Sequence, residues 1–237
     1  GFAMIRIQRA EDRYAADHGW LQSRFSYSFA EYYDPDNLQF GPMRVLNDDR
    51  IAPGTGFGMH PHREMEIVTV VLQGRLEHRD SIGNRAVTGW GGIQRMSAGT
   101  GISHSEYNAS ETETLELLQM WFLPAERGLQ PSYETTAFDP QSLRGRLVPI
   151  ASSKPEPGKV AHIHQDMTIY LSELQAGESL RFEQPAGRKA FLFVIEGDLR
   201  MNEDTLLGRR DAARLTDVTE LRLTGEGDAR FMLIDLP

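Results

Sequence analysis

Two stretches far apart in the chain repeat one pattern: "EIVTVVLQGRLEHRD" (66–80) and "AFLFVIEGDLRMNED" (190–204). Each is an apolar, strand-forming run, then a glycine (Gly74 or Gly197), then a run in which polar residues alternate. Such a unit reads as a hairpin, because side chains alternate across a strand and glycine accepts the positive φ of a tight turn. Further runs of strand length lie at "LELLQMWFL" (115–123), "MTIYLSEL" (167–174), "TELRLTG" (219–225) and "ARFMLIDL" (229–236). Turn-forming "DSIGN", "EG" and "GEGD" punctuate them, and helical periodicity is scarce. The expectation is an all-β protein of two barrels in tandem with few short helices. The least strand-like stretch, 124–159, holds "PAERGLQP", "DPQS" and "SSKPEPGK". It places a first domain over 4–136 and a second over 137–237.

The chain contains no cysteine, which excludes disulfides, thiolate metal sites and cysteine nucleophiles. Any metal must then be held by His, Asp or Glu. The net charge is −9 and both halves are acidic, so direct nucleic-acid binding is not expected. No apolar run approaches the ~20 residues of a membrane span, and no basic, apolar leader follows Met4. A cytoplasmic monomer is expected.

Seven histidines occur, and four of them fall into His-x-His pairs. His60 and His62 are i and i+2 at the mouth of the 66–72 strand, so in an extended segment both rings share a face. Downstream, "AGTGISHSEYN" (98–108) offers His104 and Glu106 at the same spacing. On neighbouring strands the two pairs would bring three imidazoles and one carboxylate together. That donor set suits a divalent first-row ion with open positions left for substrate. The other pair, His162 and His164, has no later histidine to complete a site, and is read as hydrogen-bonded structure. His78, in "LEHRD", is read as facing solvent or a hairpin partner. Met120, Trp121 and Phe122 are read as core, with alternate residues of that strand able to line a pocket, and His18 with the aromatic stretch 20–33 as packing.

The full spacing is more specific than the pairs. Gly54, five residues, His60, one, His62, three, Glu66 matches the first cupin motif, with Gly74 one residue later than usual. Gly101, two residues, His104, three, Asn108 matches the end of the second motif, with Gly99 where a proline is usual. "YYDPDN" (32–37), "RVLNDDRIAPGTGFGMHPHREMEI" (44–67), "MSAGTGISHSEYN" (96–108) and "HQDMTIY" (164–170) resemble the pirin family. The likeness is closest to its bacterial members assigned as quercetin 2,3-dioxygenases.

The resemblance implies a bicupin: two cupin (jelly-roll) barrels, with one divalent metal ion in the N-terminal barrel. It places the ligands on His60, His62, His104 and Glu106 and sets Glu66 behind them, orienting an imidazole N–H. Fe(II) is the first expectation, and Ni, Mn, Zn, Cu and Co fit the same donors. The implied activity is cleavage of the central ring of a flavonol such as quercetin with O2, releasing CO, Glu106 accepting the substrate's hydroxyl proton. The alternative is a metal- or redox-sensing regulatory protein that acts on partner proteins. The residues lining a substrate pocket, and the role of Asp48 and Asp49, are not readable from sequence.

Overall fold

A computed structural model describes residues 2–237. It is built from strands throughout, joined by turns and two one-turn 3-10 segments, Ala10–Asp12 and Pro140–Leu143. Among the described residues, no helix is long and apolar enough to cross a membrane.

The chain divides into two compact units, and each is discontinuous in sequence. One comprises Tyr14–Phe138 with Ser152–Gln165; the other takes the residues up to Arg13, Asp139–Ala151 and Asp166–Pro237. Both have cupin architecture, a large sheet packed on a four-stranded one, and the sheets do not close into a continuous barrel.

In the first unit the large sheet runs Ser132–Ala137, Gly92–Ser97, Glu66–Gln73, Leu115–Phe122, Met43–Ile51, Leu21–Phe25, Tyr14–Asp17. Its four-stranded partner runs Gly56–His62, Ile102–Asn108, Leu76–Asp80, Arg85–Thr88. The alternation of strand side chains decides what enters the interior. Along Glu66–Gln73 the inward residues are Ile67, Thr69 and Val71; along Leu115–Phe122 they are Leu117, Gln119 and Trp121. Leu21, Ile51, Val71, Leu76, Leu115 and Leu117 form one apolar cluster, and Ile67, Met96, Ala98 and Ile102 a second. Burying each such side chain contributes roughly 1.5–3 kcal/mol.

Between the two clusters the register lays a polar row across the sheet: Asn47 opposite Gln119, Gln119 opposite Thr69, Thr69 opposite Gln94. A polar row costs stability unless its members find partners. For Gln94 and Gln119 those partners belong to the site.

In the second unit the large sheet runs Met4–Gln8, Ala212–Thr216, Lys189–Glu196, Ala229–Leu236, Thr168–Leu174, Val148–Ser152. Its smaller sheet runs Ser179–Glu183, Glu220–Gly225, Leu199–Met201, Thr205–Leu207. Leu192, Val194, Phe231 and Leu233 of the one sheet meet Leu199, Met201, Leu221 and Leu223 of the other in an apolar core.

Candidate metal centre

The strands Gly56–His62 and Ile102–Asn108 pair antiparallel with His104 directly opposite His60. Two residues further on, Glu106 faces Phe57, which is three positions from His60, so the histidine-bearing strand carries one extra residue. Bulges of this kind bend a strand and re-aim its side chains. The two strands also run unusually close: a Cβ on Gly56 would lie 2.3 Å from the Glu106 carbonyl oxygen and 2.5 Å from Tyr107 Cα.

Three ring nitrogens converge here. His104 Nε2 lies 3.0 Å from His62 Nε2 and 3.0 Å from His60 Nε2. His60 Nδ1 lies 2.6 Å from the Gly58 carbonyl; donating to that oxygen places its ring proton there and leaves Nε2 with a free lone pair. Burial first, then the neighbouring imidazoles, pulls His62 down to about 4 and His104 down to about 3. Imidazolium is therefore disfavoured at His62 and His104, and the three facing nitrogens are placed to give lone pairs to one cation. Nitrogens bound at right angles to one ion at about 2.1 Å lie about 3.0 Å apart, so the donor set fits such an ion.

Glu106 is 4 % exposed, with Oε1 3.8 Å from His104 Nε2. Its two oxygens are held by the polar row of the opposite sheet. Gln119 Nε2 donates to Oε1 at 2.9 Å and Gln94 Nε2 to Oε2 at 2.8 Å. Each glutamine is oriented in turn: Trp121 Nε1 donates to Gln119 Oε1 at 3.1 Å, and the Tyr133 hydroxyl to Gln94 Oε1 at 2.8 Å. Burial, then the Glu106 charge, pushes the Tyr133 phenol above its ordinary range, so it remains a donor. Gln94, Gln119, Trp121 and Tyr133 were not singled out by spacing as site residues; only the register reveals them.

His78 corrects an expectation. Of the two readings solvent is excluded: His78 is fully buried, paired with Ala86 across its hairpin and with Glu106 on the other side, and on the same side of its strand as buried Leu76. Its Nε2 meets Asp80 Oδ2 at 2.7 Å, and the Tyr133 ring stacks on it at 3.8 Å. Glu66 also differs from expectation. Its carboxylate accepts from the His164 backbone N–H at 2.7 Å and pairs with His164 Nδ1 at 2.6 Å, rather than with any of the three converging rings. Strand Glu66–Gln73 turns that side chain toward the segment Ser152–Gln165, where Ser97 Oγ also meets His164 Nδ1 at 3.1 Å. The His162–His164 pair is thus hydrogen-bonded structure. Gly99, where a proline is usual, has φ 52°, a conformation closed to proline.

The rings of His60 and His62 line a cavity of about 470 Å³. Its walls are Trp20, Phe25, Phe29, Phe57 and Trp121; the sequence marks Trp20, Phe25 and Phe29 as packing and Trp121 as core or pocket lining. Trp121 meets the His62 ring edge-on at 4.9 Å and Phe29 at 5.5 Å; Trp20 meets Phe57 at 5.1 Å. Glu106 and Gln119 reach this cavity, as do Ser23, Asn47 and Asp49. The arrangement can seat a flat aromatic molecule with one edge at the histidines.

Comparison with known proteins agrees with this architecture. A family model described as Pirin matches residues 7–122, and one described as Quercetinase C-terminal cupin domain matches 149–236. A protein of Escherichia coli K12 named quercetin 2,3-dioxygenase is 41 % identical over 234 residues, covering 99 % of both chains. A pirin-like protein of Caulobacter vibrioides is 39 % identical over 220 residues, 93 % of this chain and 94 % of that one. The crystal structure of the E. coli bacterial pirin YhhW in complex with nickel(II) superposes with a TM-score of 0.93 at 40 % identity, covering 99 % of each chain. With both halves matched and relatives alike over nearly its whole length, this chain belongs to the pirin family.

Proposed function

We propose that the protein is a metal-dependent dioxygenase that opens the central ring of a flavonol such as quercetin. The observation carrying this reading is the meeting of three imidazole nitrogens, with His104 Nε2 3.0 Å from those of His60 and His62, at the wall of an aromatic cavity. The relatives named quercetin 2,3-dioxygenase and the nickel complex of the E. coli pirin support it. His60, His62, His104 and Glu106 are the ligands of one divalent ion in the N-terminal cupin. The C-terminal cupin holds none; residues 165–237 contain no histidine. Fe(II) is the first expectation, and a donor set of nitrogen and oxygen accepts nickel and its neighbours as well. When bound, the ion supplies a Lewis-acidic position that acidifies a hydroxyl and leaves room for dioxygen.

The chain's own residues do the rest. Trp20, Phe29, Phe57 and Trp121 hold the flat ring system and keep water from it. Glu106, at Oε1 on the His104 side, takes the proton of the flavonol 3-hydroxyl and leaves an electron-rich flavonolate. Gln94 and Gln119 keep that carboxylate in place during the transfer. The overall change is balanced: both atoms of O2 enter products, and one ring carbon leaves as CO. The test is reconstitution with Fe(II), Ni(II), Mn(II) or Cu(II), followed by flavonol absorbance and CO. Turnover that is lost in Glu106→Gln and His62→Ala is the expected result. No turnover with any of the four ions refutes the proposal.

A further inference from the structure

We propose that Ser23, Asn47 and Asp49 form a second polar subsite in the aromatic cavity, binding a substrate hydroxyl other than the one at the histidines. This rests on the flavonol reading above and names the class of flavonol preferred. Asn47 and Asp49 are alternate residues of strand Met43–Ile51, so their side chains leave the same face. Ser23 stands opposite Asp49 in the neighbouring strand. All three belong to the sheet facing the histidines, and all three line the cavity.

The polar groups here are incompletely used. Asn47 is 6 % exposed, and its Oδ1 has no hydrogen-bond partner. A buried acceptor left dry is costly, and a ligand hydroxyl removes that cost. Asp49, equally buried, accepts the Ser23 hydroxyl at Oδ1, which leaves Oδ2 for a second donor. Burial raises Asp49 to about 7, so near neutrality it can accept or, protonated, donate.

A hydroxyl both donates and accepts, and it matches this set. An anionic ligand does not, since Asp48 and Glu106 already load the neighbourhood with negative charge. The ligand implied is a neutral aromatic carrying at least one hydroxyl beyond that at the histidines.

The test is binding to the nickel-loaded protein, read by tryptophan fluorescence quenching, of quercetin and of 3-hydroxyflavone. The second compound keeps the ring skeleton and the 3-hydroxyl and lacks the other hydroxyls. Wild type should bind quercetin about tenfold more tightly, the worth of a good hydrogen bond. In Asn47→Ala and Asp49→Ala the preference should fall to about threefold or less, with the affinity for 3-hydroxyflavone little changed. Thermal melts verify that each variant folds. Equal binding of both compounds by wild type, a comparison that needs no variant, overturns the subsite and leaves the flavonol reading standing. A preference that survives in both alanine variants does the same. Binding of neither compound overturns the flavonol reading and the subsite with it.

Discussion

Replacing Asp49 by Asn should make the metal-free protein more stable than wild type at pH 8 and no more stable near pH 4. Asp49 is 6 % exposed. Burial is the main cause of its shift; the Ser23 hydrogen bond opposes it, and Asp48 and Glu106 add to it. Together they move the carboxyl from 3.8 to about 7. The folded state therefore holds the proton more tightly than the unfolded chain does. Below pH ~4 both states are protonated and the group costs nothing. From there to pH ~7 the unfolded chain has lost its proton while the folded one retains it, so stability falls as pH rises, then levels off. A shift of about three units corresponds to a ceiling of about 4 kcal/mol. Asparagine cannot ionise, and its Oδ1 can still accept from Ser23. Half the ceiling, about 2 kcal/mol, would raise Tm by ~4–8 °C in a protein of this size. The assay is thermal unfolding in EDTA from pH 4 to 9, followed by tryptophan fluorescence. All three tryptophans, Trp20, Trp90 and Trp121, lie in the histidine-bearing unit, so the signal reports that unit. Titrating groups that do not interact with Asp49 are common to both proteins and cancel in the difference. A difference in Tm that does not change with pH would refute the assignment of a buried, proton-holding carboxyl.

Changing His60, His62 or His104 to Ala should reduce bound metal from about one ion per chain to a tenth or less, measured by elemental analysis after purification. Gln119→Leu removes a donor from Glu106 and should lower kcat about 10–100-fold while metal content holds; loss of metal instead would make Gln119 part of the cage. His164→Ala leaves the Glu66 carboxylate with the backbone donor but without the ring, and should cost about 2 kcal/mol in tryptophan-monitored melts with metal binding intact. Gly56→Ala forces apart two strands that carry the histidines, and should depress both metal content and Tm.

Much of this architecture is legible in the sequence. The strands announce themselves because a run buried between sheets must be β-branched and must end at turn residues, as "EIVTVVLQG" does. The histidines stand out because they are rare and recur at a spacing of two. Gln94, Gln119, Asn47 and Asp49 carry no such mark. Each looks like an ordinary polar residue of an alternating strand, and only the register, Asn47 opposite Gln119 and Thr69 opposite Gln94, makes a row of them. His78 was within reach: it shares parity with Leu76, and its polarity alone suggested solvent. The partner of Glu66 was not, since His164 is 98 residues away and no local pattern links them.

The discontinuous make-up of the two units bears on how the chain is born. The unit carrying the histidines includes Ser152–Gln165, so during synthesis it stays unfinished until that segment has left the ribosome. Strand Met4–Gln8, first to emerge, pairs with Ala212–Thr216 and must wait for nearly the whole polypeptide. A cut near residue 137 would therefore take Ser152–Gln165 from the histidine-bearing unit and Met4–Gln8 from the other.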